Sequence, residues 1–152
     1  MSYPKGTVLA DLGCGDAALA KQLLPKGVVV LSYDLISCNA FVIAADICDH
    51  LPLPGGECRG SEALISQVVD IAVCSLSLMS TNWMGCIKEA WRILKLRQVC
   101  SNTRATVTLI IKYLTRGKLE IAEVASRFVD LDDFISLICS TGFKLETKVS
   151  DP

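Results

Sequence analysis

The fold of this chain is decided by the stretch Val8-Leu9-Ala10-Asp11-Leu12-Gly13-Cys14-Gly15-Asp16. Its apolar beginning, together with Thr7, predicts a short strand, and residues 16–24 have the spacing of a helix. The two glycines between these elements, Gly13 and Gly15, carry no Cβ, so the backbone can turn sharply and approach a ligand closely. We therefore predict a strand, a glycine turn and a helix whose first amide groups face a ligand.

The rest of the chain continues the alternation of strands and helices. Apolar runs without strict alternation predict parallel strands buried on both faces, at residues 28–33, 41–45, 69–75, 118–124 and 143–149. Amphipathic spacing predicts helices over residues 82–96 and 131–139, the second with Asp130 as its N-cap and Gly142 after its end. This order predicts an α/β fold, a single domain over residues 1–152 with a doubly wound, mostly parallel sheet.

Residues 97–117 do not fit this alternation. An apolar run at residues 107–111 is accompanied by four basic side chains, Arg97, Arg104, Lys112 and Arg116. The run predicts either a β excursion or a disordered loop, and long insertions are commonly tolerated without a function. Residues 97–117 are therefore predicted to be an insertion into the domain, and we assign no function to them.

The composition argues against a broad electrostatic attraction to nucleic acid or to an anionic membrane. The chain has 15 Lys and Arg against 16 Asp and Glu, so no net field of either sign steers such partners. Contact with RNA would have to come from a local patch. The N-terminus does not have the layout of a signal peptide, and no apolar run reaches the ~18 residues that span a bilayer. We expect no membrane partner.

The cysteines do not form a metal-binding pattern. All eight stand singly, without a CxxC pair, at positions 14, 38, 48, 58, 74, 86, 100 and 139, and His50 is the only histidine. A structural zinc site needs clustered Cys and His ligands, so we predict no metal site. Cys74 lies inside an apolar run, where a thiol behaves as a small core residue. A reducing, intracellular compartment fits this usage best.

Acidic residues accompany the first three predicted strands. Asp34 ends the second strand, Asp46 ends the third, and Asp11 lies inside the first strand just before the turn. Open α/β sheets bind ligands at the carboxyl ends of their strands, so one nucleoside-bearing molecule could contact all three. Asp34 suits ribose hydroxyls, Asp46 with Ile47 suits an adenine ring, and Asp11 suits a cationic group. Each also has an ordinary structural interpretation, because Asp is common at turns and at helix starts, as at Asp16.

A dinucleotide site is the alternative that the glycine turn leaves open. Gly13-x-Gly15-x-x-Ala18 satisfies the permissive form of the dinucleotide fingerprint, and Asp34 would serve the ribose of NAD equally well. An NAD-dependent oxidoreductase also needs a proton donor, such as His or a Tyr-Lys pair, near the strand ends. The sequence offers none there, which makes this the weaker alternative.

Six segments of the chain together carry a family resemblance. They are Ala10-Asp11-Leu12-Gly13-Cys14-Gly15-Asp16, Tyr33-Asp34-Leu35, Ala45-Asp46-Ile47, Leu76-Ser77-Leu78-Met79-Ser80-Thr81-Asn82, Glu89-Ala90-Trp91-Arg92-Ile93-Leu94-Lys95 and Ala122-Glu123-Val124-Ala125-Ser126-Arg127-Phe128. In this order they resemble the ribosomal RNA-processing protein eight family, nucleolar methyltransferases of large-subunit rRNA. The resemblance spans residues 7–149 apart from 97–117, and its Ser-Leu-Met and Glu-Val-x-Ser-Arg-Phe segments are far more specific than the glycine turn.

The resemblance implies a Rossmann-like class I methyltransferase with S-adenosyl-L-methionine as its cofactor. Together with Asp11 and the glycine turn, the cofactor contacts it implies give a predicted site of Asp11, Gly13, Gly15, Asp34, Asp46, Ile47 and Ser75. It also implies an rRNA substrate methylated at adenine N1, a role in ribosome biogenesis, and localisation to the nucleus and nucleolus. That reaction suits a site without histidine, because adenine N1 already holds a free lone pair and needs no general base.

The predicted substrate side consists of Glu123 and Arg127. Glu123 would act as an electrostatic partner of the base, and Arg127 would contact a phosphate or a base. On charge alone Arg127 could equally be a structural salt-bridge donor. Trp83 could stack on a flipped base, although a Trp at the start of an amphipathic helix more often packs in the core.

The chain departs from the family at both ends. Family members carry a segment upstream of the first strand, which closes the cofactor pocket, and a final strand that inserts beside the fifth. We expect this chain to lack both, so its last strand, 143–149, would have no antiparallel neighbour and would leave an unpaired edge. These departures keep a second function open: a catalytically impaired module that binds S-adenosyl-L-methionine or interacts with nucleolar or chromatin proteins.

Overall fold

A computed structural model of the protein describes residues 3–54, 68–95, 108–112, 118–123 and 130–147. The strands, in chain order, are β1 Val8–Leu12, β2 Val29–Asp34, β3 Val42–Ala44, β4 Ile71–Ser75, β5 Thr108–Lys112, β6 Lys118–Ala122 and β7 Lys144–Thr147. The α-helices among these residues are α1 Ala18–Leu23, α2 Trp83–Ile93 and α3 Leu131–Ser140. None of these helices has the length and apolar character that crossing a membrane requires.

The strands form one sheet in the order β3-β2-β1-β4-β6-β5-β7. The pairs from β3 to β6 are parallel, and β5 runs antiparallel to both of its neighbours, β6 and β7. The predicted doubly wound, mostly parallel α/β fold is therefore confirmed. β2 and β3 extend the sheet from β1 towards one edge. The chain then returns to the middle, and β4 to β7 extend the sheet towards the other edge. Sheets of this kind bind ligands where the strand order reverses, which here is between β1 and β4.

The expectation of an unpaired last strand is wrong. β7 pairs antiparallel with β5, with Ile110 opposite Thr147 and Lys112 opposite Lys144. β5 belongs to the insertion 97–117, so of the two structures left open for that segment, residues 108–112 form the β excursion. Its apolar Leu-Ile-Ile run has the composition of a buried strand, and a short connection to β6 allows antiparallel pairing. The rest of the insertion lies outside the described residues.

Helices cover both faces of the sheet. On one face α2 and α3 pack over β1, β2, β4 and β6 around a core that includes Tyr33, Ile87, Leu119 and Phe143. On the other face Leu23 of α1 packs on smaller apolar clusters. The ring centroids of Trp83 and Phe134 are 4.9 Å apart, so Trp83 packs in the core as the ordinary interpretation expected.

Two helix starts differ in how well the sequence predicts them. Asp130 is the N-cap of α3, as expected, and its side chain accepts hydrogen bonds from the backbone N–H groups of Asp132 and Asp133. Helix α1 begins later than expected, because Ala17 has a left-handed φ of 60° and no side chain caps the helix. Asp16 instead forms an exposed ion pair with Lys21 at 3.0 Å, which holds the pKa of Asp16 below its usual value.

Candidate functional site

The carboxyl ends of β2, β3 and β4 and the glycine turn after β1 open onto one cavity of about 280 Å³. Its lining includes Gly13, Asp34, Leu35, Asp46, Ile47, Cys48, Leu76, Ser77, Met79 and Ser80. Four of the seven predicted cofactor residues are therefore brought together at the point where the strand order reverses. The segment after β4 supplies four residues of this lining. This segment carries part of the family resemblance, but none of its residues was predicted as a cofactor contact.

The glycine turn is held against the end of β2. Gly13 and Cys14 both donate their N–H groups to the carbonyl oxygen of Tyr33, at 2.8 and 3.0 Å. Gly15 donates its N–H to Oδ2 of Asp34 at 2.8 Å. The backbone φ angles of 79° at Gly13 and 56° at Gly15 lie in the left-handed region that favours glycine. One carboxylate thus fixes the turn and lines the cavity.

The segment after β4 touches the glycine turn directly. A Cβ on Gly13 would lie 2.4 Å from the Cβ of Ser77, far closer than atoms can pack. Leu76 has a left-handed φ of 54°, unusual for a residue with a side chain, and donates its N–H to the carbonyl of Ala122 at 2.8 Å. Ser77 Oγ is buried and has no hydrogen-bond partner among the described residues. A ligand in the cavity could supply that partner.

Asp46 begins a turn and also lines the cavity, so its two interpretations do not exclude each other. Its Oδ1 accepts a hydrogen bond from the N–H of Cys48 at 2.8 Å, and its carbonyl oxygen accepts one from Asp49 at 3.1 Å. Ile47 is half-buried, lines the cavity and packs on the main core. The turn therefore presents a carboxylate and an apolar side chain together.

Asp11 lies behind the cavity wall instead of in it. Its residue is 5% exposed, and burial together with the nearby Asp34 carboxylate raises its pKa from 3.8 to about 6. A buried acid with no ion pair on the described part of the chain is well placed to receive a cation. Ser75, also predicted, is exposed at the end of β4 and is not part of the described lining; its neighbours Leu76 and Ser77 are.

Glu123 is buried next to β6 and contacts the segment after β4. It is 4% exposed, and its Oε1 accepts a hydrogen bond from the N–H of Leu78 at 2.8 Å. It is not among the described lining residues. Arg127, the other predicted substrate residue, lies outside the described residues.

The charge of the cavity favours some ligands over others. Its described lining contains the carboxylates Asp34 and Asp46 and no Lys or Arg, with Asp11 close behind. Such a wall favours hydrogen-bond donors and cationic groups, and it opposes a pyrophosphate. No group of three or more possible metal ligands occurs in the part of the chain that the structure describes.

Gly13→Ala and Gly15→Ala separate backbone strain from the close approach of Ser77. Both place a side chain at a left-handed φ, but a Cβ on Gly15 would meet open space. We expect Gly15→Ala to lower the free energy of unfolding by about 1 kcal/mol, and Gly13→Ala to cost a further ~1–3 kcal/mol from overpacking. Urea unfolding of both variants measures the difference, and equal losses would contradict the contact with Ser77.

The fold and an extended part of the sequence match known proteins. Residues 2–103 match a family model described as hypothetical methyltransferase. A putative methyltransferase from an antibiotic biosynthesis pathway of Anabaena variabilis has a similar crystal structure, with a TM-score of 0.50 and 18% identity over 91% of this chain and 56% of that one. At that identity the similarity concerns the fold alone.

Curated relatives are more similar in sequence. Ribosomal RNA-processing protein 8 of Arabidopsis thaliana is 37% identical over 94% of this chain and 40% of its own length. The 25S rRNA (adenine(645)-N(1))-methyltransferase of Schizosaccharomyces pombe is 37% identical over 81% of this chain and 29% of its own length. The chain thus spans less than half the length of these relatives, and the resemblance inferred from the sequence is confirmed. The chain belongs to the hypothetical methyltransferase family.

Proposed function

We propose that this chain is the S-adenosyl-L-methionine-dependent domain of an rRNA methyltransferase that acts on adenine N1 of large-subunit rRNA. The observation that carries the proposal is the joint lining of one cavity by Gly13, Asp34, Asp46 and Ile47, without a basic side chain in its described part. Membership of a methyltransferase family implies a methyl donor. A relative's name specifies adenine N1 of 25S rRNA, which supports the substrate.

Each part of this cofactor has a proposed contact in the chain. Asp34 would accept hydrogen bonds from the ribose hydroxyls, and Asp46 would accept one from the adenine amino group while Ile47 packs on the ring. Asp11 would attract the cationic methionine end, next to the turn at Gly13 and Gly15. The Ser77 hydroxyl, which has no hydrogen-bond partner among the described residues, adds a polar group beside Gly13, and Ser75 is the remaining proposed contact.

The chemistry asked of the protein is positioning. The bound cofactor would supply an electrophilic methyl group, and adenine N1 would approach it with its own lone pair. The chain's residues would align the two and exclude water, which accounts for much of such a reaction's acceleration. Glu123 accepts a hydrogen bond from Leu78, in the segment that lines the cavity. From this position its carboxylate would favour the positive charge that develops on the base. Arg127 is proposed to contact the RNA.

An rRNA substrate has consequences for how the protein recognises RNA and where it acts in the cell. With 15 basic and 16 acidic residues, the chain has no general attraction to nucleic acid, so recognition must be local. Action on large-subunit rRNA would place the protein in the nucleus and nucleolus, where nucleolar or chromatin proteins are possible partners. The alternative of a binding module without methyl transfer makes the same cofactor prediction and differs only at the RNA.

Calorimetry distinguishes the cofactor classes. We expect S-adenosylhomocysteine to bind and NAD to give no heat, because a pyrophosphate would face carboxylates. Asp46→Ala is expected to weaken S-adenosylhomocysteine about tenfold, the loss of one hydrogen bond to an adenine amino group. Asp16→Ala is the matched control, since Asp16 is an exposed acid of the same turn region outside the described lining. Binding of NAD instead of S-adenosylhomocysteine would overturn the cofactor assignment.

Primer extension distinguishes an enzyme from a binding module. N1-methyladenine blocks Watson–Crick pairing, so reverse transcriptase should stop at one adenine of unmodified large-subunit rRNA after incubation with the protein and S-adenosyl-L-methionine. Asp34→Ala should abolish the stop, because that substitution removes both the ribose acceptor and the contact to Gly15. Cofactor binding without any stop would favour the module.

Asp11 should oppose stability and support binding. Its folded pKa of about 6 lies above the ordinary 3.8, so the folded chain holds the proton more tightly. The free energy of unfolding therefore falls as the pH rises through this window, and the cost is complete above pH 6. The free energy of unfolding of Asp11→Asn, measured relative to the wild type, should be about 1–3 kcal/mol higher at pH 7.5 than at pH 4.5. The same variant should bind S-adenosylhomocysteine more weakly. A stability difference that does not change with pH would contradict the buried titration.

A further inference from the structure

One face of α2 holds the turn that begins at Asp46. Gly85, Glu89 and Arg92 are spaced i, i+4 and i+7, so they lie along one side of the helix. Each contacts the segment 46–52, which forms the Asp46 wall of the cavity. This stripe is distinct from the apolar residues with which α2 covers the sheet.

Gly85 allows helix and turn to touch. A Cβ at this position would lie 2.6 Å from the carbonyl oxygen of Cys48 and 3.1 Å from its Cβ. The backbone of Gly85 is helical, so glycine is required for space and not for conformation. Cys48 is two residues from Asp46, and the contact therefore fixes the distance between the helix and the cavity wall.

Glu89 and Arg92 bind both backbone polar groups of one residue. Glu89, 8% exposed, accepts the N–H of Leu51 at 2.7 Å, and Arg92 Nη2 donates to the carbonyl oxygen of Leu51 at 3.0 Å. Arg92 Nε donates to both carboxylate oxygens of Glu89 at 2.9 Å, which closes the network. Leu51 itself is 1% exposed, so these groups have no easy replacement in water.

Tyr33 connects this network to the glycine turn. Its hydroxyl donates to the carbonyl oxygen of Pro52 at 2.7 Å, and its own carbonyl oxygen accepts the N–H groups of Gly13 and Cys14. Burial raises the pKa of Tyr33 to about 12, so the hydroxyl stays a donor. Tyr33 of β2 therefore contacts both the segment 46–52 and the glycine turn.

We propose that Glu89 and Arg92 are positioning residues that set the nucleobase preference of the cavity by holding the Asp46 wall at a fixed distance from the glycine turn. The inference rests on the proposed function. A carboxylate oxygen accepts from the amino group of adenine but repels the carbonyl oxygen of hypoxanthine, and this discrimination depends on hydrogen-bond distances. A wall released from α2 would shift and accommodate either base.

The test compares S-adenosylhomocysteine with S-inosylhomocysteine, its hypoxanthine analogue, by calorimetry. The wild type should prefer the adenine ligand at least tenfold, and Glu89→Ala should reduce that preference to about twofold or less. Glu89→Gln keeps an acceptor for the N–H of Leu51 and should retain most of it. Arg92→Lys removes the guanidinium group that joins Glu89 to Leu51, and it should reduce the preference to the same extent. It serves as the test variant if Glu89→Ala does not fold.

Lys95→Ala is the matched control. Lys95 pairs with Asp70 at 3.1 Å just beyond α2, at the start of β4 and away from the cavity. This variant should lose stability and keep the base preference, because a purely structural loss changes both ligands equally. An unchanged preference in Glu89→Ala and Arg92→Lys, with wild-type binding intact, would overturn the inference. Absence of binding by the wild type would instead overturn the proposed function.

Discussion

The contact between Gly13 and Ser77 is the constraint on which the site depends. Strand order reverses between β1 and β4, which are parallel neighbours, so the segments that follow these strands start side by side at the carboxyl edge of the sheet. They come so close that a Cβ at Gly13 would overlap Ser77. Glycine there is required by space as well as by φ. The cavity exists because the two segments diverge beyond that point, one towards Asp34 and the other towards Met79.

Several features of the site cost stability instead of adding to it. Asp11 is buried next to another carboxylate, Leu76 adopts a left-handed φ, and Ser77 Oγ is buried with no hydrogen-bond partner in the part of the chain that the structure describes. A fold selected for stability alone would remove all three, since each has a simple substitute. Their concentration around one cavity is what pre-organisation for a polar, cationic ligand requires. The large core beneath α2 and α3 offsets these costs.

The parts predicted from the sequence are those that depend on local patterns. Apolar runs located six of the seven strands, and Asp34 and Asp46 lie on one cavity because parallel strands end at the same edge. The antiparallel place of β5 could not be predicted, because a strand's neighbours are set by contacts distant in sequence. The left-handed φ at Leu76 was missed for the same reason: only the hydrogen bond to Ala122 and the packing on Gly13 enforce it.

The segment from Glu89 to Lys95 shows how a resemblance becomes a physical argument. In the sequence, Glu-Ala-Trp-Arg is the beginning of one of the six segments that carry the family resemblance. In the structure its residues face two different neighbours. Ala90 is fully buried against the sheet, while Glu89 and Arg92 bind Leu51. One helix therefore packs the core and holds the cavity wall. Because the same backbone does both, the position of Asp46 relative to Gly13 follows from how α2 sits on the sheet.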